Sequence, residues 1–424
     1  MKLENLSAPF VPKLLERFLD YTKRWTTSDS AIADQGIMPS SEGQKDFANS
    51  LVKNLQDLGI SDVRVSDNFY VYAKIPSSEG CEKIPSIGFL AHLDTTEEVS
   101  GKNVNPQIIE NYDGNKIYLK ENVVLDPTLD LELSDAIGDT IITTDGTTLL
   151  GADDKAGIAI IMTAIDVLLK NKEIKHGPLE IIFSPDEETG HGMDKVPLEW
   201  ISSKFCYTVD GGNAGEIESE CFNAWKSEII FTGKAKHTGT ARPDMVNAIT
   251  MASDFITSLP KHESPETTDG YQGFYAPMEI SGHIEKAYVT LFLRDFEQDG
   301  MKRRKSFVES LAKMIEEKYV GSNVVVNHTQ QYLNMKEGIA KNPEIMEKLV
   351  NAVKHSGLQP VFKPIRGGTD GSRLTELGIP CPNIFTGGHN FHSKREWASL
   401  SQMVYGVLTL LNLVTVKTDN EIIK

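Results

Sequence analysis

Apolar positions in the first half of the chain switch repeatedly between the spacing of a helix and that of a strand. Val11 to Thr22 and Glu42 to Leu58 carry apolar side chains every three or four residues, which predicts two amphipathic helices. Val63 to Ile75 alternates in the strand manner, while Ile87 to Ala91, Leu179 to Phe183 and Phe205 to Val209 are short apolar runs suited to buried strands. Asp154 to Leu169 follows a glycine turn and reads as a helix. Strands and helices in alternation argue for an α/β domain, a mostly parallel sheet covered by helices.

From about Trp225 the pattern changes. Strand Glu228 to Gly233, helix Asp244 to Leu259, strands near Phe274 to Ile284 and Ala287 to Arg294, helix Gly300 to Lys318 and strand Asn323 to Gln330 make a β-α-β-β-α-β order. This is expected to be an inserted α+β, ferredoxin-like unit, a lid or dimerisation domain, after which the chain resumes with a helix at Pro343 and a strand near Pro382 to Phe385. The expected domains are 1–222 with 334–424, and 223–333. Length agrees with two domains, because single cores stop growing near about 250 to 300 residues and this chain has 424. The polar tail from Lys417 is expected to fray.

Composition narrows the classes. With 60 acidic against 43 basic side chains the formal charge is −17, which disfavours nucleic acid and anionic membranes as partners. The start, MKLENLSAPF, lacks the apolar stretch of a secretory signal, and the apolar run Ile158 to Leu169 is interrupted by Asp166, so a cytoplasmic protein without a membrane span is expected. Cys81, Cys206, Cys221 and Cys381 are widely spaced and read as reduced thiols.

Five segments carry candidate chemistry. Gly88-Phe-Leu-Ala-His92-Leu-Asp94 ends an apolar strand in His-x-Asp, where open α/β sheets gather ligands. Gly151-Ala-Asp153-Asp154-Lys155-Ala-Gly157 opens a helix; one aspartate can cap it, leaving the other carboxylate free to bridge two cations. Asp186-Glu187-Glu188 follows another apolar strand, and three adjacent acids there call for a compensating cation. Asp210-Gly-Gly repeats the arrangement of strand, acid and glycine, and Gly387-Gly-His389-Asn-Phe-His392 is a glycine-led turn with two histidines. Each segment alone has an ordinary account: a hydrogen-bonded histidine, a helix cap or an exposed acidic turn. Together, His92, Asp153, Glu188, Asp210 and His392 supply two imidazoles and three carboxylates, a donor set that zinc accepts and that disfavours calcium. If Asp153 is shared, each of two metals receives one histidine, one terminal carboxylate and the bridge. Two metals about 3.5–4 Å apart activate a water and polarise a carbonyl. Glu187 can then take the water's proton, and Asp94 can orient the imidazole of His92.

At these residues the sequence resembles the co-catalytic zinc metallopeptidases that include carboxypeptidase G, aminoacylase and succinyl-diaminopimelate desuccinylase, and among them the aminopeptidases that act on tripeptides. Further matches are Gly101-Lys-Asn-Val-Asn-Pro-Gln107, Ile142-Thr-Thr-Asp-Gly-Thr-Thr148, Arg366-Gly-Gly-Thr-Asp-Gly371 and Pro380-Cys-Pro-Asn-Ile-Phe-Thr-Gly-Gly388, in order along nearly the whole chain. The resemblance implies a catalytic domain of zinc aminopeptidase type with two zinc ions per subunit, cobalt or manganese being substitutes. His92, Asp153 and Asp210 would hold one ion, and Asp153, Glu188 and His392 the other, with Asp94 and Glu187 as catalytic acids. It implies cleavage of the amino-terminal residue from short peptides with a free amino terminus, by a homodimer joined through its lids. On matching positions His237 would stabilise the oxyanion at the partner subunit's site, and Asn247, Arg294 and Arg366 would hold the substrate's backbone and carboxylate. A dipeptidase or N-acyl amino acid deacylase of the same family, or a metal-dependent peptide-binding protein without catalysis, are the alternatives. The chain has His392-Ser-Lys-Arg395-Glu where the family has His-Gly-Lys-His-Glu, and His389 where a tyrosine is usual. These changes spare the ligands and bear on substrate preference.

Overall fold

The computed structural model describes residues 8–416; the first seven residues of MKLENLSAPF and the tail from Lys417 lie outside them. The chain divides into two compact units, one running to Ser219 with Glu337–Lys363 and the stretch from Thr369, the other comprising Glu220–Lys336 and Pro364–Gly368.

In the first unit the apolar runs meet in one sheet, in the spatial order Asp62–Val65, Val71–Ile75, Leu179–Ser184, Ile87–His92, Cys206–Gly211, Asn383–Phe385, Glu216–Glu218, Val361–Phe362. The four middle strands are parallel, and the strand on either side of them is antiparallel to its neighbour. Ile87–His92 and Leu179–Ser184 are buried at every position, as parallel strands covered on both faces must be. The stretch Val63 to Ile75, expected as one strand, is an antiparallel hairpin turning through Asp67, Asn68 and Phe69, the last at φ 62°. Aspartate and asparagine favour such a turn, and the alternation continues on both sides of it.

Helix Ala152–Lys170 packs on the sheet with helices Val11–Thr22 and Leu400–Val414 beside it. Gly157 is required for this packing: a Cβ there would stand 1.9 Å from the carbonyl oxygen of Val209, on the strand that carries Asp210. Helix Leu400–Val414 and a small antiparallel sheet of Gly388–His389, Trp397–Ser399, Ile141–Thr143 and Gln107–Ile109 lie outside the elements expected from periodicity. The loop bearing His392 joins the first two of these strands.

The second unit has an antiparallel sheet ordered Phe274–Gly282, Lys286–Asp295, Asn223–Thr232, Asn323–Tyr332, with helices Ala248–Thr257 and Gln298–Lys318. Its strands thus lie in the spatial order two, three, one, four, the ferredoxin-like arrangement, around a core that includes Phe231, Phe255, Leu291 and Ile315. All four cysteines are buried. Among the described residues no helix is long and apolar enough to cross a membrane.

Candidate active site

The parallel strands deliver the candidate residues to one edge of the sheet. His92 ends its strand, Glu187 and Glu188 follow Leu179–Ser184, and Asp210 is the penultimate residue of Cys206–Gly211. Asp153 opens the helix packed beneath them. The adjacent Asp154 does the capping: its Oδ1 accepts the Gly157 N–H and its Oδ2 the His92 N–H, both at 3.2 Å. Asp153 is thereby left free, and its two oxygens diverge. Oδ1 lies 2.8 Å from His92 Nε2, and Oδ2 lies 3.3 Å from His392 Nε2. Asp210 Oδ1 stands 3.6 Å from His92 Nε2, and Glu188 Oε2 stands 2.9 Å from His392 Nε2.

The result is two triads, His92 with Asp153 and Asp210, and Glu188 with Asp153 and His392; within each, the donor atoms lie within 4.8 Å of one another. Each could hold a cation. Glu188 Oε1 is buried with no hydrogen-bond partner, an acceptor facing no donor. Nitrogen and oxygen donors in this proportion fit zinc and other transition metals. Charge points the same way. Burial, with the nearby Asp153 carboxylate, pushes Glu188 up to about 8 and Asp210 up to about 6. Glu187 is also raised, by burial and by neighbouring carboxylates that include Asp210. Burial works against a proton on His392, but Asp153 and Glu188 outweigh it and push the imidazole up to about 11. Carboxyls raised beside a raised imidazole mark a cluster deficient in positive charge.

Other acids support the cluster. Asp94 Oδ1 and Oδ2 accept the Glu187 and Glu188 N–H groups at 3.0 and 3.1 Å, and Oδ1 lies 3.4 Å from His92 Nδ1. On the other side Glu98 Oε2 lies 3.3 Å from His392 Nδ1. Asp186, at φ 58°, is fixed by the Ser40 amide at 2.8 Å, the Ser40 hydroxyl and the Gln44 side-chain amide at 2.7 Å. Asp370 accepts the Ser184 hydroxyl at 2.5 Å, and burial pushes its carboxyl up to about 7. Glu396 accepts three backbone amides from the Asp153 turn. Sequence reasoning missed Ser40, Gln44, Glu98, Asp370 and Glu396 in these roles. The only signal lay in the family matches, since Asp370 falls in the Arg366 motif and Glu396 closes the run after His392.

The remaining candidates lie in the second unit. His237 is exposed and accepts the Gly239 N–H at Nδ1, and Asn247 caps helix Ala248–Thr257. Arg294 is buried, donates to the carbonyl oxygens of Leu293 and Trp225, and lies over the rings of Phe292 and Tyr332. Arg366 donates to the carbonyl oxygens of Thr268, Gly270 and Gln272. His389, in the first unit, stacks on Trp397 with ring centroids 4.0 Å apart.

Two histidine–carboxylate groups that share Asp153, gathered beside the ends of the parallel strands, could hold metal ions as a metal-dependent hydrolase does. Residues 150–416 match Peptidase family M20/M25/M40, and the chain belongs to that family; it is a metallopeptidase. It is 46% identical over 408 residues to a peptidase T from Clostridium perfringens, covering 96% of this chain and 99% of that one. In fold it is similar to the aminopeptidase PepT from Bacillus cereus, with a TM-score of 0.74 at 22% identity over 95% of this chain and 98% of that one. It is also similar to a dinuclear metal binding peptidase of the same family from Bacillus subtilis, with a TM-score of 0.64 at 15% identity over 95% and 97% of the two chains.

Proposed function

We propose that this chain is a two-zinc aminopeptidase that removes the amino-terminal residue from short peptides, chiefly tripeptides. The observation that carries this is the diverging carboxylate of Asp153, with one oxygen toward each ligand histidine. The names of the Clostridium relative, a peptidase T, and of the Bacillus cereus aminopeptidase favour this activity, and the Bacillus subtilis neighbour is a dinuclear metal binding protein. Cobalt or manganese would suit the same donors.

Bound at the two triads, the cations would polarise the scissile carbonyl and make a water acidic enough to attack it. Glu187 takes the proton of the attacking water and returns it to the leaving amine. Burial and neighbouring carboxylates raise its carboxyl, which makes it a stronger proton acceptor than an ordinary glutamate. Asp94 fixes Glu187 by its backbone amide while holding the His92 ring, so the base and a ligand share one support. His237, Asn247, Arg294 and Arg366 are the residues we assign to the substrate's oxyanion, backbone and carboxylate, and a guanidinium suits the last of these. A cytoplasmic homodimer joined through the second unit completes the proposal.

Product analysis on a matched set tests it: a free tripeptide, its N-acetylated form, the related dipeptide and a longer peptide. Release of the first residue, chiefly from the free tripeptide, is expected. Cleavage confined to the acetylated peptide or the dipeptide would reassign the chain to a deacylase or dipeptidase, and no cleavage by metal-loaded protein would reject catalysis.

A further inference from the structure

Glu396 ends the loop that carries His392, yet its side chain reaches the turn that carries Asp153. It is 1% exposed. Oε2 accepts the N–H groups of Leu150 and Gly151 at 2.7 and 2.8 Å, and Oε1 accepts that of Asp153 at 3.2 Å. Its own backbone is pinned on both sides: its carbonyl accepts the Thr143 hydroxyl at 2.8 Å, and its N–H donates to the Ser393 carbonyl at 3.2 Å. A buried carboxylate is costly unless hydrogen-bonded, and here backbone amides supply the bonds. Those amides need a partner too. Gly151 sits at φ +79°, and Asp153 and Asp154 depart from helical geometry, so the helix's own bonding ladder does not organise this turn.

We propose that Glu396 is a positioning residue of the metal centre: gripping the Leu150–Asp153 backbone from the His392 loop, it sets where the Asp153 carboxylate stands relative to His392, and so sets cation affinity. This rests on the two-metal function proposed above. One loop then controls two donors of the same triad, His392 through the chain and Asp153 through the Glu396 side chain. Glu396→Gln is informative because it conserves size. If its oxygen stays on Leu150 and Gly151, its NH2 group faces the Asp153 N–H, donor against donor, and the grip on Asp153 is lost.

The test is zinc titration of chelator-stripped full-length protein against a chromophoric competitor, with thermal melts of the stripped forms in parallel. Wild type is expected to take up two equivalents. In Glu396→Gln the weaker equivalent is expected to bind roughly 10–100-fold less tightly, as when an outer partner of a metal ligand is lost. Glu396→Asp, which keeps both oxygens on a shorter arm, is expected to fall between the two. Wild-type zinc affinity in either folded variant, even with a lowered melting temperature, would overturn the proposal and leave Glu396 a structural residue. Fewer than two equivalents in wild type would instead remove the two-metal function beneath it.

Discussion

In the second unit, buried arginines are matched within the chain, whereas the carboxylates at the strand ends of the first unit crowd around two imidazoles. Arg304 Nε lies 2.9 Å from Asp295 and its Nη1 lies 2.8 Å from Glu263. Arg294 and the half-buried Arg366 rest on carbonyl oxygens and aromatic faces. At the strand ends two kinds of acid stand apart. Asp94, Asp154, Asp186 and Glu396 accept backbone amides, and those bonds hold the turns. Asp153, Glu188 and Asp210 face the histidines, and Glu188 keeps one buried oxygen without a hydrogen-bond partner. Amide donors therefore separate the acids that build the site from those that need something brought to it.

The largest expected effect tests Glu187, an acid outside both kinds. Glu187→Ala should keep its metal content while turnover falls roughly 10²–10⁴-fold, the loss expected for a general base; near wild-type turnover in metal-replete protein would reject the assignment. Next, Asp94→Ala removes a supporting acid and should weaken metal binding by roughly 10–100-fold, measured by competition with a chelator. Unchanged affinity would erase the distinction between the two kinds of acid.

Protons sharpen the comparison further. In stripped protein the raised His392, Glu188 and Asp210 bind more protons folded than unfolded. His392's stabilisation is thus complete below its ordinary value near 6.5 and is lost as pH rises toward about 11. Melts of stripped protein should fall across that window, while zinc uptake should release protons and tighten with pH by up to about tenfold per pH unit for each proton displaced. Calorimetry in buffers of different ionisation enthalpy reads the release, and zero release would contradict the charge balance described here. The smallest effect lies in the second unit. Arg366→Ala should lower stability by about 1–3 kcal/mol, seen in denaturant melts, with metal content unchanged.

The candidate ligands were legible because an apolar run followed by an acid or histidine marks a sheet end at His92, Glu188 and Asp210, and the glycine-led turns before Asp153 and His392 supplied chemically matched donors. The pair Asp153-Asp154 was legible only as one cap and one free carboxylate; their assignment needed the Gly157 and His92 amides that Asp154 accepts. Ser40, Gln44 and Glu396 were not legible as supports, since their partners lie more than a hundred residues away and hydrogen bonds leave no periodic trace. Helix Leu400–Val414 escapes periodicity for the opposite reason: it is buried at nearly every position, so no polar face sets its phase. The strands of the small sheet, two or three residues each, are too short to alternate visibly.

The central claim is that Asp153 bridges two cations. Crystals grown with zinc, with anomalous diffraction recorded at the zinc edge, test it most directly. The account expects two peaks about 3.5–4 Å apart, one beside His92 and Asp210, the other beside Glu188 and His392, with one Asp153 oxygen on each. A single peak at full occupancy, or two peaks with Asp153 on only one, would contradict it.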